Sequence, residues 1–343
     1  MSKVDIISGF LGAGKTTLIQ KLIKECFQNK QVVLIENEFG EIGIDGTFLQ
    51  EAGIQITEMN SGCICCSLVG DFAEALAKVY DEFHPDHILI EPSGVGKLSD
   101  VMKAIVDLNN PNLELSSHIC VVDGQKNRVY MKNFGEFYNN QIQYASAIFI
   151  SRSQFMDEDK LQEVVERIKT LNSEAPIVTT PWDQLEGEYI LSLMQNKIDD
   201  LLEEAIEEAR RHQEEHEHEH HHDHDEEEHE HHHDHDEEEH EHHHHHHDHG
   251  HHHHHHADEF FDSVGFETVK TYTKEALSAA LEQLQKDEAV LRAKGYVKGE
   301  DCWYYFDLVP EEYEIRTGKP EYTGKVVVIG HEVNETKVKE LFK

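Results

Sequence analysis

Eight residues near the start of the chain, Gly9-Phe10-Leu11-Gly12-Ala13-Gly14-Lys15-Thr16, restrict its fold more than any other stretch. They fit the pattern G-x-x-x-x-G-K-[ST] and lie between an apolar run, Val4–Ser8, and a helical pattern carrying Leu18, Ile19, Leu22, Ile23 and Cys26 on one stripe. Gly9, Gly12 and Gly14 let the backbone curl until successive N–H groups face a single anion, with Ala13 between them and Thr17 just beyond. Lys15 brings a point charge to the β/γ oxygens of a polyphosphate, and the Thr16 hydroxyl suits Mg²⁺. The helix that starts near Lys15 aims its positive end at the same place. The loop predicts nucleoside triphosphate binding.

The rest of the first ~180 residues agrees with that start. Further candidate strands are Gln31–Glu36, Ile54–Thr57, His87–Glu91, His118–Asp123, Ala147–Ser151 and Pro176–Thr179, separated by amphipathic stretches such as Leu68, Phe72, Leu76, Val79 and Phe83. Nearly all-apolar strands alternating with helices predict an α/β P-loop NTPase domain with a mostly parallel sheet covered on both faces. We place this domain at residues 1–190 and a connecting helix at 191–211, with Leu191, Met194, Ile198, Leu201, Ala205 and Ala209 on its stripe. From residue 257 onward, strands near Val264–Lys270, Leu291–Val297, Trp303–Leu308 and Lys325–Ile329 and helices at Lys274–Glu288 and from Asn334 predict a small α+β C-terminal domain.

Between the two lies a tract of another kind. Residues 212–256 hold 26 of the 30 histidines and 17 acidic residues, with no Lys or Arg, and contribute heavily to the formal charge of −39. With no apolar side chain to bury, the tract predicts a disordered insertion between the domains. Neutral imidazoles mixed with carboxylates make overlapping, adaptable sites for Zn²⁺, Ni²⁺ or Co²⁺. The densest groups are His220, His221 and His222, then His231, His232 and His233, then His242, His243, His244, His245, His246 and His247.

Composition also excludes classes. The acidic balance leaves no basic stripe to neutralise phosphates, which argues against a nucleic-acid binder. No apolar run approaches the ~20 residues of a membrane span, and the first residues lead straight into a strand without a signal-peptide pattern. Six cysteines, three of them crowded into Cys63, Cys65 and Cys66, read as metal or redox chemistry in a reducing cytoplasm rather than as a disulfide framework.

Cys63-Ile-Cys65-Cys66 stands just before a predicted helix, whose N-terminus favours thiolate, the metal-binding form. The spacing is too compact for full enclosure, so two or three thiolates with a ligand from elsewhere fit best, and soft sulfur favours Zn²⁺ over Mg²⁺. Packed core cysteines or a redox pair are the alternatives. Glu91 ends an apolar strand, where an acid orients Mg²⁺ or its water shell, and Gly94 follows close enough to offer an N–H to a γ-phosphate.

The order of these motifs, Gly9–Thr17, then Glu36-Asn-Glu-Phe-Gly-Glu-Ile-Gly-Ile-Asp45, then Cys63–Cys66, then Glu91–Gly94, resembles the CobW-type P-loop GTPases, relatives of the UreG and HypB nickel-insertion GTPases. The stretch from Val264 to Lys343 is similar to the C-terminal domain of that family, and a His-rich insertion recurs in it. The resemblance implies a cytoplasmic GTPase that delivers or allocates a transition metal, often zinc, to a client protein that requires it, with a homodimer allowed. It makes Glu36–Asp45 a switch segment, Glu38 and Glu41 candidate metal or Mg²⁺ contacts, Cys63–Cys66 the cargo site, and Glu91 and Gly94 part of a second switch; Lys15 and Glu91 are the candidate catalytic residues. One departure stands out. Where the family reads guanine through Asn-Lys-x-Asp, this chain has Ser151-Arg152-Ser153-Gln154. Gln154 offers one carbonyl acceptor and an amide donor, so bidentate acceptance from the base is lost, while Arg152 can still lay its planar group over it. GTP is the first expectation and ATP the second. The competing functions are a metal store with vestigial nucleotide binding and a P-loop enzyme of corrinoid cofactor assembly.

Overall fold

A computed structural model describes residues 1–37, 55–59, 69–195, 205–210, 260–318, 320 and 323–342. Seven strands form a parallel sheet: β1 (Ser2–Gly9), β2 (Val32–Asn37), β3 (Gln55–Met59), β4 (His87–Glu91), β5 (Leu113–Asp123), β6 (Ala147–Ser151) and β7 (Ile177–Val178), in the order β3-β2-β4-β1-β5-β6-β7. Side chains alternate along each strand, so an apolar strand feeds two cores at once. Val4 and Ile6, Ile88 and Ile90, Cys120 and Val122, and Ile148 and Ile150 face one way. Ile7, Leu89, Ile119, Val121 and Phe149 face the other. The first face is covered by α2 (Val69–Phe83), α3 (Leu98–Asp107), α4 (Asn127–Asn133), α5 (Gly135–Gln143) and α6 (Glu158–Lys169). The second is covered by α1 (Lys15–Cys26), whose stripe of Leu18, Ile19, Leu22, Ile23 and Cys26 is buried as its spacing predicts, and by α7 (Gly187–Met194) through Ile190 and Met194.

A second, six-stranded sheet follows: β8 (Asp262–Thr268), β9 (Thr271–Tyr272), β10 (Val290–Gly299), β11 (Trp303–Val309), β12 (Glu312–Gly318) and β13 (Gly324–Gly330). Its main path is β12-β11-β10-β13-β8, antiparallel throughout, with β9 parallel to β10. Val326 and Val328 turn toward α8 (Lys274–Gln285) and α9 (Glu335–Leu341), where Leu277, Leu281, Leu284, Val338 and Phe342 complete a separate core. The alternate residues Val327 and Ile329, with Leu291, join the first domain's core instead. The alternation of one strand thus docks the two domains. Phe261 reinforces the docking, its ring centroid 5.2 Å from that of Phe137 and 6.4 Å from that of Phe10.

The α/β first domain and the α+β second one are as the sequence predicts, with differences at element level. β5 begins at Leu113 rather than near His118, because its half-buried first residues pair with β1 from Ser2 onward. β12 has no counterpart in the sequence reading; it is an edge strand in which the half-buried Tyr313 and Ile315 stand among exposed, mostly charged or polar residues. The 190/191 division falls inside α7. Of the connecting stripe, residues 205–210 are helical with Ala205 and Ala209 buried, while Ile198 and Leu201 lie outside the described residues. The His-rich tract 212–256 also lies outside them.

Candidate functional site

The glycine loop leaves the C-terminal edge of the parallel sheet, where ligands bind in folds of this class. Gly9 ends β1 at φ +145°, and a Cβ there would sit 2.3 Å from the Val121 carbonyl oxygen of β5, so only glycine fits. Gly14 takes φ 100° immediately before α1, which lets the loop turn into the helix. Lys15 is 4% exposed and folds back over the loop, its Nζ donating to Gly9 O at 2.9 Å and Phe10 O at 3.3 Å and lying 3.9 Å from Glu91 Oε1. Thr16 Oγ1 donates to the Glu91 carboxylate at 3.1 and 3.2 Å. Lys15, Thr16 and Glu91, 75 residues apart in sequence, are therefore brought together by the pairing of β1 with β4. Ala13 is buried beneath the loop, and Thr17 is exposed on the first turn of α1.

The segment after β4 lies against the loop: a Cβ on Gly94 would meet Leu11 N at 2.8 Å. It is held from behind by α5, since Gln141 Nε2 donates to Gly94 O at 3.1 Å and Gly96 O at 2.7 Å. On the other side, Ser151 ends β6 and Arg152 follows it. Arg152 adopts the left-handed φ of 59° and sends its guanidinium toward Asp123 at the end of β5, with Nη1 3.5 Å from Asp123 Oδ2. Asp123 is buried and accepts from the backbone N–H of Gln125 at 2.9 Å. Burial pushes its carboxyl upward, an effect that Arg152 and Lys126 oppose. Gln154 is exposed in the short turn Ser153–Phe155.

Sequence reasoning missed two residues here. Trp182 approaches the loop from the segment after β7, its Cη2 3.3 Å from where a Gly14 Cβ would be. Its Nε1, like the Oγ of Ser153 in the turn after β6, is buried and has no hydrogen-bond partner among the described residues, and such orphaned groups in native proteins call for an explanation, an absent ligand among them. Asp123 is the second, and its signal was available: it is an acid ending an apolar strand at the same sheet edge as Glu91.

Glu38, Glu41, Cys63, Cys65, Cys66 and all the histidines named in 220–247 lie outside the described residues. Among the described residues, no group of three or more His, Cys, Asp or Glu side chains comes together as a metal site. One buried set has the composition of a hydrolytic triad: Asp5 accepts from Ser117 Oγ at 2.7 Å and from His87 Nδ1 at 3.0 Å. The serine is bonded to the aspartate and not to the histidine, so the nucleophile–base contact is missing and the network serves to satisfy a buried charge. Cys26 and Cys120 are buried, and burial pushes the Cys120 thiol up to about 12, as expected of core cysteines.

Comparison with known proteins agrees with this geometry. The signature of the CobW/HypB/UreG nucleotide-binding domain matches residues 3–179, and that of the cobalamin synthesis protein CobW C-terminal domain matches 261–343. A zinc chaperone CobW of Sinorhizobium sp is 29% identical over 203 residues, covering 50% of this chain and 56% of its own length. The zinc chaperone YjiA of Escherichia coli (strain K12) is 29% identical over 210 residues, covering 59% of this chain and 64% of its own length. The zinc-regulated GTPase metalloprotein activator 1 of Schizosaccharomyces pombe is 24% identical, covering 53% and 46%. These matches span less than two thirds of each relative's length. The crystal structure of Zn(II)-bound YjiA GTPase from E. coli aligns over 99% of this chain and 98% of that one, at 18% identity and a TM-score of 0.41. No helix among the described residues is long and apolar enough to cross a membrane. With a glycine loop on β1, an acid on β4 and both signatures in order along one chain, the protein belongs to the CobW/HypB/UreG family of nucleotide-binding proteins.

Proposed function

We propose that this chain is a cytoplasmic, nucleotide-dependent metallochaperone that hydrolyses GTP and hands a transition metal, zinc first, to a client protein that requires it. The observation that carries the reading is the joining of Lys15, the Thr16 hydroxyl and the Glu91 carboxylate at the mouth of a glycine loop. A hydroxyl and a carboxylate within hydrogen-bond distance are the hard oxygen donors that Mg²⁺ takes, so Thr16 and Glu91 would hold it, the latter directly or through water. Bound there, it would neutralise charge on the β and γ oxygens.

The chain's own groups do the rest. Loop N–H groups and Lys15 hold the phosphates, the carboxylate of Glu91 orients water near the transferred group, and Gly94, braced by Gln141, offers an N–H on the γ side. Positioning and charge stabilisation carry most of the catalysis in phosphoryl transfer, which fits a slow enzyme. Arg152 covers the base, and Trp182, close to Gly14, offers a buried indole N–H that has no partner among the described residues. The cargo metal goes to Cys63–Cys66, with Glu38 and Glu41 as candidate further metal or Mg²⁺ contacts, and the tract 212–256 collects it. We also propose the division into a GTPase domain at 1–190, a connecting helix at 191–211, a metal-binding insertion at 212–256 and a C-terminal domain at 257–343, and the relatives named as zinc chaperones favour zinc over nickel or cobalt.

Phosphate release by the purified full chain tests the reading. The wild type hydrolyses GTP slowly, and Glu91→Gln lowers the rate by roughly 10²-fold, the scale of one preorganised charge-stabilising group, while nucleotide binding persists. If no triphosphate is hydrolysed, with or without zinc, the chain is a metal store.

A further inference from the structure

The turn between β11 and β12 belongs to the C-terminal sheet yet lies over the nucleotide loop. Val309 and Glu312 are opposite each other in the β11–β12 register, so their side chains share one face of the hairpin. Val309 packs on the loop: its Cγ1 is 2.5 Å from where a Cβ on Gly12 would be. The Glu312 carboxylate pairs with the Arg152 guanidinium. Between them, Pro310 O accepts from Lys126 Nζ, tying the turn to the segment after β5. Glu311 holds the turn at φ 73°, a conformation that favours glycine, and Arg152 is itself left-handed at φ 59°. Two strained residues therefore adjoin one contact.

We propose that Glu312 is a positioning residue of the nucleotide site, holding the Arg152 guanidinium in the place from which it covers the base. The inference rests on Ser151–Gln154 being the base-reading segment. Asp123, fixed by backbone N–H groups, and Glu312 both pair with Nη1 of the guanidinium, so two carboxylates on different domains hold one end of the side chain. The pair is a poor device for holding the domains together. Glu312 is 58% exposed, and such pairs add little stability. The buried docking of Phe261 and Val327 already joins the two domains. What the pair does fix is the orientation of a long, flexible side chain, and a guanidinium ordered in advance loses less entropy when a base stacks on it. The C-terminal domain is thereby made part of the nucleotide site.

The test is the release rate of a fluorescent ribose-labelled GDP from the full chain carrying Glu312→Ala, Arg152→Ala, or both. Glu312→Ala speeds release about two- to fivefold, the ceiling for an exposed pair, and the acceleration disappears in 1 M salt. Arg152→Ala speeds release on its own, and adding Glu312→Ala to it changes nothing further, because the two act as one unit. Unchanged or slower release from Glu312→Ala overturns the proposal, as does the same acceleration in the Arg152→Ala background. Unchanged release from Arg152→Ala alone instead overturns the base-reading assignment on which the proposal rests.

Discussion

Lys15 is held by two loop carbonyls and faces Glu91, so its ammonium is already aimed at the loop's centre. A charged hydrogen bond of this kind contributes roughly 1.5–3 kcal/mol, and its loss weakens binding about ten- to hundredfold. Lys15→Ala is expected to lose that much affinity for a non-hydrolysable GTP analogue in calorimetric titration, with an unchanged circular dichroism spectrum. Undiminished affinity would mean that the phosphates bind elsewhere. Lys15, Thr16 and Glu91 were legible in the sequence because each stands at the end of a local pattern: a glycine spacing, or an apolar strand. Asp123 obeys the same strand-end rule and went unremarked. Trp182, Val309 and Glu312 carry no local signal at all. Trp182 and Val309 reach the loop, and Glu312 reaches Arg152, across 160 or more residues only because strands and domains dock there, and a packing contact leaves no trace in spacing.

At the scale of elements, the loop works because β1 and β5 approach closely at Gly9. The atom that blocks a Cβ there is a backbone oxygen, Val121 O, which cannot swing away as a side-chain tip could, and the φ of +145° is unfavourable for any other residue. Gly9→Ala is therefore expected to destabilise the fold by about 2–4 kcal/mol, since strain and a clash with backbone act together. Urea denaturation with an unchanged midpoint would contradict this. Most of the parallel sheet was readable because its strands carry short apolar runs set between helical periods. β12 was not, since an edge strand with one solvated face and charged residues resembles a loop in sequence. The start of β5 was hidden for a related reason: its register is set by β1, not by its own hydrophobicity.

At the scale of the whole molecule, one helix links the parts. α5 carries Gln141, which holds Gly94 and Gly96 beside the loop. The same helix meets residues 205–210 through Asn140 and Glu208, 3.4 Å apart, and meets Phe260 and Phe261 through Phe137. Both flanks of the segment that contains the histidine tract thus touch the helix that braces Gly94 and Gly96. Residues 212–256 carry no apolar side chain that a core could bury, so replacing them by a Gly/Ser linker is expected to preserve folding and nucleotide binding while lowering the number of zinc ions bound. That shortened chain allows the most direct measurement: zinc affinity determined once with a non-hydrolysable GTP analogue and once with GDP. If nucleotide state drives metal delivery, zinc binds the proposed cargo site, Cys63–Cys66, more tightly in the triphosphate form, by about 5–150-fold, and zinc shifts the triphosphate/diphosphate preference by the same factor. Equal zinc affinity in the two states would contradict the account and leave a nucleotidase with a metal store attached.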